Sequence, residues 1–111
     1  MTSLHHLTPA QLKIIHDTLK PYADHIDRVG LFGSRATGRC HDYSDIDMVL
    51  YGQIDAQLLD RLVTLFDESA LSIKVDLVAY DLIDNPVLKH HIDTVMLPLF
   101  TKADLQKHVP Q

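Results

Sequence analysis

Gly33 and Ser34, ten intervening residues, and then Asp45 and Asp47 around a single isoleucine form the chemically loaded stretch of this 111-residue chain. Side chains two apart on a strand project from one face, so Asp45 and Asp47 would present their carboxylates together, close enough to share a divalent cation. Gly33 lets backbone approach a phosphate closely, and the N–H groups opening a short helical turn, with the Ser34 hydroxyl, would point at it. At ordinary composition, four such fixed matches arise by chance on the order of once per thousand chains. The chemistry this set could perform is nucleotidyl transfer from a triphosphate.

A third acid, Asp76, lies in the apolar run Lys74–Tyr80. Mg²⁺ takes oxygen ligands in octahedral geometry, usually one or two carboxylates plus phosphate oxygens, a need that Asp45 and Asp47 meet. Asp76 could complete a second metal site, since paired ions roughly 3.5–4 Å apart stabilise both the attacking and the leaving oxygen. It could equally accept the proton of an incoming hydroxyl. Three acids in an apolar pocket repel one another, so a metal or a shared proton is expected among them. Arg35 and Arg39 follow the turn closely enough to add charge-assisted contacts to an outgoing pyrophosphate. Each feature alone has an ordinary explanation: Gly-Ser is a common turn, Asp45 could end a loop, and Asp76 could pair with Lys74. Cys40 has no base at a recognisable spacing and reads as a loop thiol. His41 stays outside the assigned site, and Tyr43 either stacks on a base or packs the loop onto the sheet.

These residues need strands and turns to hold them. Thr8-Pro9-Ala10-Gln11 is a capping box with proline at the first helical position, followed by Leu12, Ile15, Leu19 and Tyr22 on one face, which predicts a helix of about four turns. Val29–Phe32 reads as a buried strand stopped by Gly33, Ser34–Gly38 as a brief helical turn, and Arg39–Ser44 as loop. Asp45–Tyr51 is a second strand, with Ile46, Met48 and Leu50 on one face and the two acids, Val49 and Tyr51 on the other. Asp55 caps a helix with an apolar stripe at Leu58, Leu62, Leu65 and Phe66. Lys74–Tyr80 is a third strand, Asn85-Pro86 starts a helix running to about Asp93, and Val95–Phe100 is a last strand that Pro98 forces to an edge or a bulge. The order α-β-α-β-α-β-α-β predicts an α/β (α+β) class with a small mixed sheet of about four strands and helices packed on it. Val87, Leu88, Met96 and Leu99 are expected to be mostly core.

The length fits one compact domain spanning 1–111, with no internal repeat or linker where a boundary could fall. The net charge is −5 and the basic residues are scattered, so no cationic stripe exists to grip nucleic acid directly. One cysteine cannot make an intramolecular disulfide or a thiolate zinc site, which fits a cytoplasmic location. No run of about eighteen apolar residues predicts a membrane span. The doublets His5-His6 and His90-His91 read as solvated surface, because adjacent side chains diverge.

The segments Leu31-Phe-Gly-Ser-Arg-Ala-Thr-Gly38, Ser44-Asp-Ile-Asp-Met-Val-Leu50 and Val75-Asp-Leu-Val78 together resemble the DNA polymerase beta-type nucleotidyltransferase superfamily. Within it the short chain is similar to the minimal nucleotidyltransferases, or MNT proteins. The resemblance covers roughly residues 28 to 100 and implies the nucleotidyltransferase fold. It further implies phosphate contact by Gly33 and Ser34, beside which Arg35 is counted with the nucleotide-binding residues, metal binding by Asp45 and Asp47, and metal binding or base action by Asp76, with two Mg²⁺ ions and ATP as substrate. MNT proteins are typically paired with a HEPN ribonuclease toxin, so the resemblance implies such a partner and an antitoxin role by AMP transfer to a toxin tyrosine. Two other readings stand beside it: transfer to a small molecule or RNA held by a separate subunit, and neutralisation by binding alone with the nucleotide as a structural ligand.

Overall fold

The computed structural model describes residues 6–39, 41 and 44–107. The readings made for His5, Cys40, Asp42 and Tyr43 lie outside the described residues. The Thr8 hydroxyl accepts from Gln11 N–H (3.1 Å) and the Gln11 side chain accepts from Thr8 N–H (2.9 Å), so the capping box opens α1 (Pro9–Leu19) as expected. The helix is shorter than predicted. Pro21 cannot donate an N–H, and the chain tightens into a 3-10 turn over Lys20–His25 with Tyr22 out of helical geometry (φ −109, ψ 15).

The chain then runs β1 (Ile26–Phe32), α2 (Ser34–Thr37), β2 (Ile46–Gly52), α3 (Ala56–Asp67), β3 (Val75–Ala79), α4 (Pro86–Val95), β4 (Leu97–Thr101) and α5 (Lys102–Gln106), with a 3-10 turn at Tyr80–Leu82. The strands form one sheet in the order β3-β2-β1-β4, with β1 antiparallel to both β2 and β4 and β2 parallel to β3. The parallel pair requires a crossover, which α3 supplies. Pro98 sits on the outer strand β4, where the register to β1 slips between Val29 and Gly30, so edge and bulge both accommodate it. Two features exceed the sequence reading. β1 begins at Ile26 rather than Val29, and α5 adds a last helix with its own capping box between Thr101 and Asp104.

β2 alternates as its sequence dictates. Ile46, Met48 and Leu50 join the larger core, where Ile15, Leu19, Leu62, Phe66 and Leu105 close over the sheet from α1, α3 and α5. Val49 points the other way, into a smaller cluster with Phe32 and Ile92 that α4 covers. Val87 departs from the core expectation at 75% exposed, whereas Leu88, Met96 and Leu99 are partly buried. Ile92 is fully buried and is the anchor of α4, so Ile92→Ala should cost about 2–4 kcal/mol in urea unfolding. No helix among the described residues is long and apolar enough to cross a membrane.

Candidate active site

The candidate site forms where β1 ends and β2 begins. Gly33 turns the backbone to φ 72, ψ −151, a region that side chains enter only under strain, and α2 starts at Ser34 immediately after it. A Cβ on Gly33 would overlap the Asp47 carboxylate. The missing side chain is what allows turn and acid to occupy neighbouring space.

Register brings the remaining groups together. Phe32 opposes Asp47 across β1–β2, and Asp47 opposes Asp76 across β2–β3. Directly opposed residues on adjacent strands share a face with Cβ atoms roughly 5 Å apart. Asp45 stands one residue before β2, exposed, and its neighbours fix it on both sides. Ile46 N–H donates to the Lys74 carbonyl at 2.9 Å, stitching the start of β2 to β3. On the other side, the Ser44 carbonyl accepts from Arg35 Nε (3.1 Å) and Nη2 (2.6 Å).

That contact fixes the Arg35 side chain. Its side chain is fully buried (0% exposed), with Nε and Nη2 on the Ser44 carbonyl. Arg35 ties the end of the spacer to α2 and so sets where Asp45 begins. Ser34 is partly buried at the head of α2, and Arg39 is exposed.

Electrostatics shows that the acids converge. Asp47 is raised from 3.8 to about 6, first by burial, then by the Asp76 carboxylate and a hydrogen bond in which protonated Asp47 donates to Asp76, with Asp45 adding repulsion. Asp76 also meets Lys74, Nζ to Oδ1 at 3.5 Å, but both side chains are well exposed (68% and 44%) and such a pair contributes little. The surface pairing and the site position therefore coexist. Among the described residues no three His, Cys, Asp or Glu side chains are drawn together tightly enough to enclose a metal ion. The donor chemistry nonetheless suits Mg²⁺: all three groups offer hard oxygens, and carboxylates that raise a neighbour's hold on a proton would also gain from a divalent cation.

His91 reaches the Phe32 edge of this row of register partners from α4. It is exposed, as expected for the doublet, yet its ring stands edge-on to Phe32 with centroids 6.4 Å apart, and its charge opposes the upward shift of Asp47. A signal was available: Leu88, His91, Ile92 and Val95 follow i, i+3, i+4, i+7, so His91 falls on the sheet-facing stripe of α4. A separate groove of about 500 Å³ lies at the opposite end of β2, lined by Arg28, Tyr51, Tyr80 and Asp93 among others. Its side chains satisfy one another: Tyr51 stacks on Tyr80 at 5.0 Å, Arg28 lies over Tyr51, and the Tyr80 hydroxyl donates to Asp93 at 2.8 Å.

Comparison with known proteins places this geometry. The family model described as Polymerase beta, Nucleotidyltransferase matches residues 13–104. A crystal structure of a toxin–antitoxin with AMP-PNP is 26% identical over 85% of this chain and 78% of that one, with a TM-score of 0.64. A crystal structure of the toxin–antitoxin MntA-HpeT, mutated from aspartate to glutamate at two positions two apart, is 25% identical over 78% of this chain and 70% of that one, with a TM-score of 0.63. No curated protein sequence matches the chain significantly.

Proposed function

Because this chain belongs to the polymerase beta nucleotidyltransferase family, we propose that it transfers AMP from ATP to a tyrosine hydroxyl of a HEPN ribonuclease toxin and so acts as that toxin's antitoxin. The observation that carries the catalytic part is the convergence of Asp47 and Asp76, opposed in register, beside a turn whose Gly33 has room only because it lacks a side chain. The choice of nucleotide and partner draws support from the similar toxin–antitoxin structures, one of them with AMP-PNP and the other altered at two aspartates spaced like Asp45 and Asp47.

In this reading Gly33 and Ser34 hold the phosphates through backbone N–H groups and a hydroxyl. Asp45, Asp47 and Asp76 would hold Mg²⁺, which when bound offsets the charge of the phosphates and of the three acids. The acceptor oxygen forms a bond to the α-phosphorus, the bond from that phosphorus to the β-phosphate bridging oxygen breaks, and pyrophosphate leaves with the electron pair. Asp76 takes the hydroxyl proton. It is the acid on the exposed, β3 side, whereas Asp47 is hemmed between Gly33 and Asp76.

Incubating the chain with α-labelled ATP, Mg²⁺ and the toxin should label the toxin, and Asp45→Asn or Asp47→Asn should abolish the label. Labelling that survives both substitutions would overturn the assignment. Neutralisation retained by an unlabelling double variant would mean that binding alone suffices.

A further inference from the structure

Three residues cross the sheet in a row: Asp76 on β3, Asp47 on β2 and Phe32 on β1, each the register partner of the next. The row gives the site two distinguishable sides. On one lies Asp76, partly exposed and able to take a proton. On the other, Phe32 leads directly into the Gly33 turn, and His91 leans over Phe32 from α4. His91 thus stands against the Phe32 end of the row, the end that leads into the Gly33 turn. It shares that end with a turn that offers backbone donors.

The charge around it is informative. Asp45, Asp47 and Asp76 make the site strongly acidic, and a triphosphate brings further negative charge. An imidazole presents a ring N–H in either protonation state, so it can donate to a phosphate oxygen whether or not it is charged. The charge of His91 also opposes the upward shift of Asp47, as the smallest of the influences on that acid.

Resting on the nucleotidyl-transfer reading, we propose that His91 contacts the triphosphate at its departing pyrophosphate end, leaving the Asp76 side of the row for the acceptor. His91 makes no covalent bond. As the bond between the α-phosphorus and the bridging oxygen breaks and the electron pair passes to pyrophosphate, the ring N–H hydrogen-bonds oxygens of the leaving group while Asp76 receives the acceptor's proton. The β- and γ-phosphates, not the nucleoside, are thus what His91 recognises.

Binding measurements separate this from a structural role. His91→Phe keeps a ring against Phe32 but removes the donor, and His91→Gln keeps a donor without the ring. With MgCl2 present, calorimetric titration should show His91→Phe weakening ATP and pyrophosphate binding by about tenfold, the loss of one charge-assisted hydrogen bond, while AMP stays within about twofold. His91→Gln should recover most of that loss, and His91→Ala should match His91→Phe in ATP affinity. Melting temperatures of all three should stay near that of the parent, since the side chain is exposed. ATP bound by His91→Phe as tightly as by the parent, or ATP and AMP weakened equally, would overturn the proposal while leaving the nucleotidyl-transfer reading intact. A parent chain that binds no ATP at all would overturn that reading and the proposal together.

Discussion

Asp47→Asn is expected to abolish nucleotidyl transfer and at the same time to make the protein more stable at neutral and alkaline pH. The substitution keeps the shape of the side chain and removes its charge. Losing one of the acids that would hold the ion and align the phosphates should reduce the rate by on the order of a thousandfold. The stability gain follows from linkage. In the folded protein Asp47 is raised from 3.8 to about 6, so the fold binds this proton more tightly than the unfolded chain does. The associated stabilisation is fully present below about pH 4 and is lost as pH rises through about 6, where the carboxylate must ionise in a partly buried place and against Asp76 and Asp45. Taken at face value the shift corresponds to about 3 kcal/mol. Asp47 is only partly buried and solvent screens the repulsion, so the realised penalty should be about 1 kcal/mol. Asparagine never incurs that penalty. Urea unfolding of the parent and the variant should therefore coincide near pH 4 and diverge above about pH 6, with the variant ahead by about 1 kcal/mol. Equal stability at pH 8 would show that neither burial nor the neighbouring acids disfavour the Asp47 carboxylate in the free protein.

Gly33→Ala is the second large effect, and here stability and activity should fall together. Placing a side chain at φ 72, ψ −151 costs of order 1–3 kcal/mol before any neighbour is considered. The new Cβ would also occupy the space of the Asp47 carboxylate, which must then swing away from Asp76 or push the turn outward. A total loss of about 2–4 kcal/mol is expected, with transfer reduced by at least about a hundredfold because the displaced groups are the proposed reacting ones. Gly38 provides the contrast. Its backbone is also left-handed (φ 78, ψ 8), but nothing lies within 4 Å of a Cβ there, so Gly38→Ala should cost only about 1 kcal/mol. The collision can be isolated by a double-mutant cycle: in an Asp47→Ala background, Gly33→Ala should recover part of its cost, leaving the backbone strain. An unchanged cost in that background would mean that the turn and the acid are independent.

The sheet and the positions of the acids were legible because they depend on local rules. Alternation along β2 separates Ile46, Met48 and Leu50 from Asp47 and Val49, and the caps at Thr8, Asp55 and Asn85 mark three helix starts by their own side chains. Asp76 was findable because a parallel β2–β3 pair after a crossover helix puts two acids of similar strand position side by side. The burial of Arg35 could not be read from the sequence. An arginine in a turn ordinarily faces water, and the partner that buries it is the Ser44 carbonyl, a backbone atom that every residue carries. His91 is exposed as its doublet predicts, and its edge contact with Phe32 follows from helical spacing with Leu88 and Val95. α5 escaped because a short helix depends on tertiary burial, here of Leu105, more than on its own propensity.

The unequal cladding of the sheet has a dynamic consequence. One face is sealed by three helices, while on the other α4 rests on a nucleus of three fully or nearly buried residues, Phe32, Val49 and Ile92. Cooperative units with the least buried apolar surface open first under native conditions. The softest seam of the molecule therefore runs alongside the row of acids, and breathing of α4 can widen the approach to them while the remainder stays folded.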